Sequence, residues 1–426
     1  LAQVVMSRAK SSEVIALRSL LIVWLAWAAL MLGFQALVQE RFSLQRPDQA
    51  LDWTAAETGP DARSGHPYLS DAFLAGHAWW DSEYYISIAL AGYDDPAMRA
   101  AGPASKPDAP QAALKRDRPD WVSLNHAFLP AYPYATRLLA WPTIGLGARP
   151  VAAAVGAGVA VSLLGTLAAM LALADLASEP AEGRRAAFYL LVWPGAVFLA
   201  QVYSEGLFLG LSFGALAMLR RRAWPWAAAL AAGAVFARAT GGLLLIPFLW
   251  TWIAGGGAGA LLRRTPRAFV AALLALSPLA AYLVWRLAFG ADFQFVETRY
   301  FGRGLLELGP SLDSWRDAWS GLLRGPPPAV AYRALDIAAF AAALAASAAF
   351  FRRDPPLVVY GLAVLAVAAT SGSSVGVIRY ALAVPALFLA PAILGRHSAF
   401  DQAWTLAGAL GLAVATTAFT FGFWAG

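Results

Sequence analysis

The sequence has no cysteine, which excludes disulfides, thiolate metal sites and cysteine nucleophiles. Histidine is also scarce: the four residues are never spaced as a ligand pair on one helix, so a zinc site is not indicated. Charge is sparse. Asp, Glu, Lys and Arg make up 14% of the chain, against roughly a quarter in soluble domains. No P-loop, Rossmann glycine pattern or nucleophile elbow occurs. What is abundant is apolar: hydrophobic residues are 59% of the chain and the mean hydropathy is +0.57. That balance indicates an all-α polytopic membrane protein, with residues 1–426 forming a single transmembrane domain.

Arg8 and Lys10 precede an apolar run from about Val14 to Val38. The run is too long for a signal peptide and many further spans follow it, so it reads as an uncleaved first transmembrane helix. The chain then turns polar and rich in Pro and Asp, so residues 39–145 read as a large first extracytoplasmic loop. Two pieces of that loop look helical, one around Asp81 and one from about Phe128 to Leu139. Residues 94–125 carry no assigned role. Apolar segments follow near 150–176, 186–202, 205–219, 224–237, 241–258, 268–289, 329–350, 357–371, 377–395 and 402–424. With the first helix they predict about eleven spans, several of them short against the roughly 20 residues a bilayer requires.

The net charge of +6 comes from short basic clusters between these runs, not from a nucleic-acid-binding surface. Arg184–Arg185, Arg220–Arg222, Arg263–Arg264 with Arg267, Arg352–Arg353 and Arg396 fall in alternate loops, on the side of Arg8 and Lys10. The positive-inside rule puts them in the cytoplasm, with the N-terminus inside and the C-terminus outside. Counting 128–145 as a span would invert the later clusters, so it reads as an interfacial or re-entrant piece. The loop 290–328, with Arg299, Tyr300, Arg303, Trp315 and Trp319, then becomes a second larger extracytoplasmic loop. Its aromatic rings would stack on sugars or float it on the bilayer.

Polar residues that topology does not explain collect on the outer face. His77 to Ala89 places Asp81 and Glu83 among four aromatic rings, including Tyr84 and Tyr85. Acids so near a bilayer are costly unless used. Asp81 is a candidate general base or, more simply, an acid favouring the dipole of a helix N-terminus. Glu205, following Tyr203 and Ser204, suits a first helical turn, substrate positioning or a pair with an arginine. Arg238 and Arg379 are lone arginines at outer ends of apolar segments, where guanidinium groups are suited to lipid phosphate. Tyr380 adjoins the second of them. His126 sits in the first loop, a candidate for phosphate binding or proton donation.

Trp80-Asp81, Tyr84-Tyr85, Ile88-Ala89 and Gly92-Tyr93 together resemble the first-loop signature of the PIG-V type mannosyltransferases, polytopic enzymes of the GT-C class. Phe128-Leu129-Pro130-Ala131-Tyr132-Pro133, Tyr203 to Phe208, Ala237 to Gly241, and Arg379 to Leu382 before Pro385 agree in order. The resemblance implies a GT-C fold with juxtamembrane helices in the first loop. It also implies a polyprenyl-phosphate sugar donor, an inverting transfer, and Asp81 as the base. Glu83, Tyr84, Tyr85, His126, Tyr203, Glu205, Arg238, Arg379 and Tyr380 would then contact substrate. No cofactor is required, and a divalent metal is possible but not indicated. Mannose is the default sugar and a lipid or glycan the acceptor. The long first loop reads as a bacterial variant, placed in the inner membrane with its site facing outward. Alternatives are a GT-C transferase for another sugar or a protein acceptor, and a lipid or solute transporter. For the transporter, the breaks at Pro194-Gly195 and Ser371 to Ser374 would be the supporting features.

Overall fold

A computed structural model describes residues 2–42, 69, 71–103, 120–262, 266–325 and 327–423. Segments 43–68 and 104–119 of the first loop, and the Arg263–Arg264 cluster, lie outside the described residues. The chain opens with α1 (Ala2–Arg41). The first loop supplies α2 (Ala72–Ala75), α3 (Ser82–Leu90) and an antiparallel strand pair, β1 (Arg99–Ala101) with β2 (Trp121–Ser123). Then come α4 (Ala131–Gly145), α5 (Pro150–Leu176), α6 (Pro180–Val192), α7 (Glu205–Arg220) and α8 (Trp224–Ala237). The next four are α9 (Leu245–Ala254), α10 (Gly257–Leu262), α11 (Pro266–Ala275) and α12 (Ser277–Tyr300). The chain continues through α13 (Leu308–Arg324), α14 (Pro327–Phe350) and α15 (Pro355–Ala369). It closes with α16 (Val377–Ala381), α17 (Ala386–Leu394) and α18 (Ser398–Thr420).

The fold is an all-α membrane bundle. Among the described residues, four helices are long and apolar enough to cross a bilayer, or up to six if each of two bent pairs is one span. Three shorter apolar helices lie at 224–237, 239–254 and 355–369, so this criterion does not reach about eleven. The segments expected at 186–202 and 377–395 are broken. Pro194 lacks an N–H and disfavours helical geometry at Trp193, so α6 stops. A 3₁₀ turn, Pro194–Ala200, follows and meets α7 at 101°. Ser162 Oγ satisfies the backbone freed there, lying 2.6 Å from Gln201 O and 2.8 Å from Tyr203 O. Non-helical chain at membrane depth survives only with such internal partners. The 290–328 segment is not the loop expected: α12 runs on to Tyr300, and α13 is a helix with polar and apolar faces. α4 is continuous although it contains Pro142, and it packs on α5.

α5 and α7 cross almost backbone to backbone. A methyl group at Gly206 would stand 2.2 Å from Ser162 O, one at Gly165 2.4 Å from Gly206 C, and one at Gly210 2.6 Å from Gly165 O. Glycines four apart on α7 thus make a small-residue seam of the kind that membrane helices use. A second clamp is polar. His77 Nδ1 lies 2.8 Å from Gln201 Oε1, Gln201 Nε2 donates to Gln35 Oε1 at 3.0 Å, and Gln35 Nε2 donates to Thr420 Oγ1 at 3.4 Å. Four distant stretches, from α1, the first loop, the turn before α7 and α18, meet there. Burial holds the His77 imidazole at a pKa of about 4 despite its bond to Gln201.

Gly206→Ala should cost about 1–3 kcal/mol of stability through overpacking. Gly156→Ala, on α5 with nothing within 4 Å of the added methyl, should be neutral or stabilising. Thermal unfolding of the two variants in detergent checks the contrast. For His77, the unfolded chain takes up a proton first as pH falls below about 6.5, so stability present above that value drains away toward pH 4. That contribution should be on the order of 3 kcal/mol, read as the difference between the pH profiles of wild type and His77→Gln.

Candidate active site

A cavity of about 650 Å³ opens between α3, the end of α8, the end of α12 and the chain joining α15 to α16. Asp81 stands at the N-cap of α3, presented by a turn in which Trp80 adopts φ 58°, an outlier for a bulky residue. Its carboxylate makes no capping bond. Instead Arg379 Nη1 donates to Asp81 Oδ2 at 2.8 Å. The same guanidinium donates from Nε to Glu205 Oε1 at 2.6 Å, and Arg238 Nη1 reaches that oxygen at 2.5 Å. The Glu205 side chain is 2% exposed, Arg379 9% and Asp81 20%. The four side chains therefore form one chain of ion pairs, Asp81–Arg379–Glu205–Arg238, deepest at Glu205 and returning to the cavity wall at Arg238.

The aromatic residues split into two groups. Tyr203 is fully buried and does not line the cavity: Arg379 sits 4.8 Å over its ring, and its hydroxyl donates to Trp79 O at 3.1 Å. Tyr84, Tyr85 and Tyr380 do line the cavity, as does Glu83. Tyr84 stacks on Phe128 at 4.6 Å, and the edge of Phe301 closes on both. The Tyr85 hydroxyl is 2.8 Å from Ser204 Oγ. Burial, reinforced by the charge of Glu205, pushes that phenol above its usual pKa, so it stays protonated.

The expected contact set thus divides. Asp81, Glu83, Tyr84, Tyr85, Arg238, Arg379 and Tyr380 converge on one cavity, whereas Glu205 and Tyr203 stand behind its wall. His126 is elsewhere: it stacks on Tyr93 in a three-ring cluster with Phe289, with Nδ1 3.8 Å from Asp292 Oδ2. Burial lowers its pKa, and the Asp292 charge opposes that shift. Sequence reasoning grouped Arg303 with a loop and passed over Glu297; both line the cavity. Arg303 is held by neutral acceptors, Val375 O at 2.8 Å, Ser371 Oγ at 3.3 Å and Tyr380 Oη at 3.5 Å. Among the described residues no cluster of three or more His, Asp or Glu is placed to hold a metal ion.

The cavity and the basic loops lie at opposite ends of the same helices. α7 begins at Glu205 and ends at Arg220, α8 returns to Arg238, and α15 runs from beside Asp354 to the cavity rim. Removing the central carboxylate should be severe. Glu205→Ala removes the carboxylate that both half-buried guanidinium groups share and leaves Arg379 on Asp81, a loss of about 3–5 kcal/mol. Thermal unfolding checks it, with Asp81→Asn, at the exposed end of the network, expected to lose far less.

No family model matches the chain. Over 224 residues the chain is 31% identical to GPI alpha-1,6-mannosyltransferase 2 of Rattus norvegicus, which covers 50% of this chain and 36% of that protein. The Mus musculus protein of the same name is 29% identical over 255 residues, covering 57% and 42%. The chain spans well under half the length of these curated relatives. Among solved structures, the crystal structure of ArnT from Cupriavidus metallidurans bound to undecaprenyl phosphate covers 94% of this chain and 63% of its own, at 13% identity and a TM-score of 0.42. The curated relatives and the ordered motifs agree on the same likeness, that of a PIG-V type mannosyltransferase.

Proposed function

We propose that the protein is an integral-membrane glycosyltransferase that moves a hexose, with mannose as first choice, from a polyprenyl-phosphate donor to a lipid or glycan acceptor. The observation that carries this reading is the carboxylate of Asp81, held at the cavity edge, among the described residues, by a guanidinium on one of its two oxygens. Arg379 takes Oδ2, and Oδ1 remains for an acceptor hydroxyl. That hydroxyl gives its proton to Asp81 as its oxygen bonds to the anomeric carbon. The bond from that carbon to the phosphate oxygen breaks, and its electron pair leaves with the polyprenyl phosphate. Displacement on the face opposite the leaving group inverts the anomeric carbon.

Three arginines face the space a phosphate would occupy, Arg238, Arg303 and Arg379. The first and third are already bonded to Glu205, so Arg303 carries the least compensated charge. Preorganised cations aimed at developing negative charge are the largest common source of transition-state stabilisation. A lipid-borne donor also accords with the sequence, which has no nucleotide-binding motif. The location of the basic loops at the far ends of the helices supports an extracytoplasmic site, in the inner membrane of a bacterium.

The test is transfer from a labelled short-chain polyprenyl-phosphate-mannose in a native lipid extract. Wild type should turn over, and Asp81→Asn should lose about 10²–10⁴-fold in kcat with donor affinity retained. Equal turnover by the two proteins would refute the base assignment.

A further inference from the structure

We infer that Glu297 is the residue that reads the sugar, its carboxylate accepting hydroxyl hydrogens of the donor hexose inside the cavity. The inference rests on the donor reading above and goes beyond it by assigning sugar recognition to a side chain on α12. Phe293, Glu297 and Phe301 follow at four-residue steps, so they share one face, and all three line the cavity. That face is otherwise aromatic. A carboxylate placed on it is costly unless something takes its charge or its hydrogen-bonding capacity.

The protein does not. Asp81 and Glu205 are both bonded to arginine. Glu297, among the described residues, makes no side-chain hydrogen bond and no ion pair, although its backbone carbonyl accepts from Phe301 N and Arg303 N. The charges that reach it are those of Arg303, Asp81 and Arg238, none within ion-pair distance. Arg303 has satisfied itself on neutral oxygens instead. Glu297 is therefore a half-buried acceptor facing the cavity, for which the described residues supply no side-chain donor.

The surroundings state what that donor is. A carboxyl group has two oxygens able to serve neighbouring hydroxyl groups at once. Beside it the stacked rings of Tyr84 and Phe128, with Phe301 edge-on to both, offer an apolar wall. A hexose has this same duality, an apolar C–H face and a rim of hydroxyl donors. The position also suits the reaction: the sugar would lie between Asp81, which deals with the incoming hydroxyl, and Arg303, beside the phosphate. Glu297 is accordingly a specificity residue that acts on binding, and proton transfer stays with Asp81.

The experiment is equilibrium binding to the full chain in lipid nanodiscs, with short-chain polyprenyl-phosphate-mannose and bare polyprenyl phosphate as probes. Wild type should prefer the mannosyl lipid. Glu297→Ala should weaken that lipid about 10–100-fold, the worth of charge-assisted hydrogen bonds, to the level of bare lipid phosphate, with bare phosphate binding unchanged. Glu297→Gln, isosteric and carrying the test if the alanine variant does not fold, should raise KM and leave kcat within a few-fold. A variant that keeps the wild-type preference, or weakens both lipids equally, overturns the inference. So does a Gln variant with wild-type KM and collapsed kcat. Failure of the donor reading is separately visible, because wild type would then bind neither lipid.

Discussion

One carboxylate oxygen of Glu205, buried and shared by two guanidinium groups, sets the electrostatics of the whole site. Without it Arg238 and Arg379 would be like charges side by side in a medium that screens poorly. With it they become a rigid pair, and the second nitrogen of Arg379 is directed onto Asp81. The position of Asp81 is thus transmitted from α7 through an arginine on α16. The glycine seam fixes the origin of that chain: Gly206, next to Glu205, lies against the α5 backbone, so the carboxylate has little room to shift.

The breaks in the bundle serve the same end. A continuous helix through Pro194 would carry residues 201–204 past the cavity, whereas the sharp bend folds Gln201, Tyr203 and Ser204 behind it. Gln201 anchors the first loop through His77, Tyr203 underlies Arg379, and Ser204 holds the Tyr85 hydroxyl. The Ser371–Ser374 stretch plays the corresponding part at the rim. Gly372 N and Ser374 N are bonded to Ser311 and Ser314 of α13, and Ser371 O accepts from Gly304 N. Irregular backbone here is a scaffold for side chains, bonded at nearly every step.

The apolar helices were legible because bilayer thickness imposes their length on the sequence. Asp81, Arg238 and Arg379 were legible for the converse reason: charge is expensive beside lipid, so its presence is a signal. A pair with an arginine was among the readings of Glu205, but the sequence did not disclose which arginine. Arg379 and Glu205 lie 174 positions apart, and no local pattern says that one neutralises the other. His126 looked available as a loop histidine, but it packs in a ring cluster with Tyr93 and Phe289. Residues 290–328 resembled a loop because α13 mixes charges with apolar residues, the composition of a helix with two faces rather than of a span. Glu297 went unseen among the aromatic residues of α12, although its four-residue spacing from Phe293 and Phe301 was there to read.

α13 leaves Leu308, Leu312, Trp319 and Leu323 exposed on a helix that also carries Asp313, Arg316 and Asp317. Such a helix rests at the boundary between headgroups and acyl chains. Because Ser311 and Ser314 tie it directly to the rim, that boundary fixes the height of the cavity mouth. Under the proposed function, a donor carried on a lipid would then reach the site by lateral diffusion within the leaflet. The concentration governing its capture would be a number per unit of membrane area, one that diluting the surrounding water leaves unchanged.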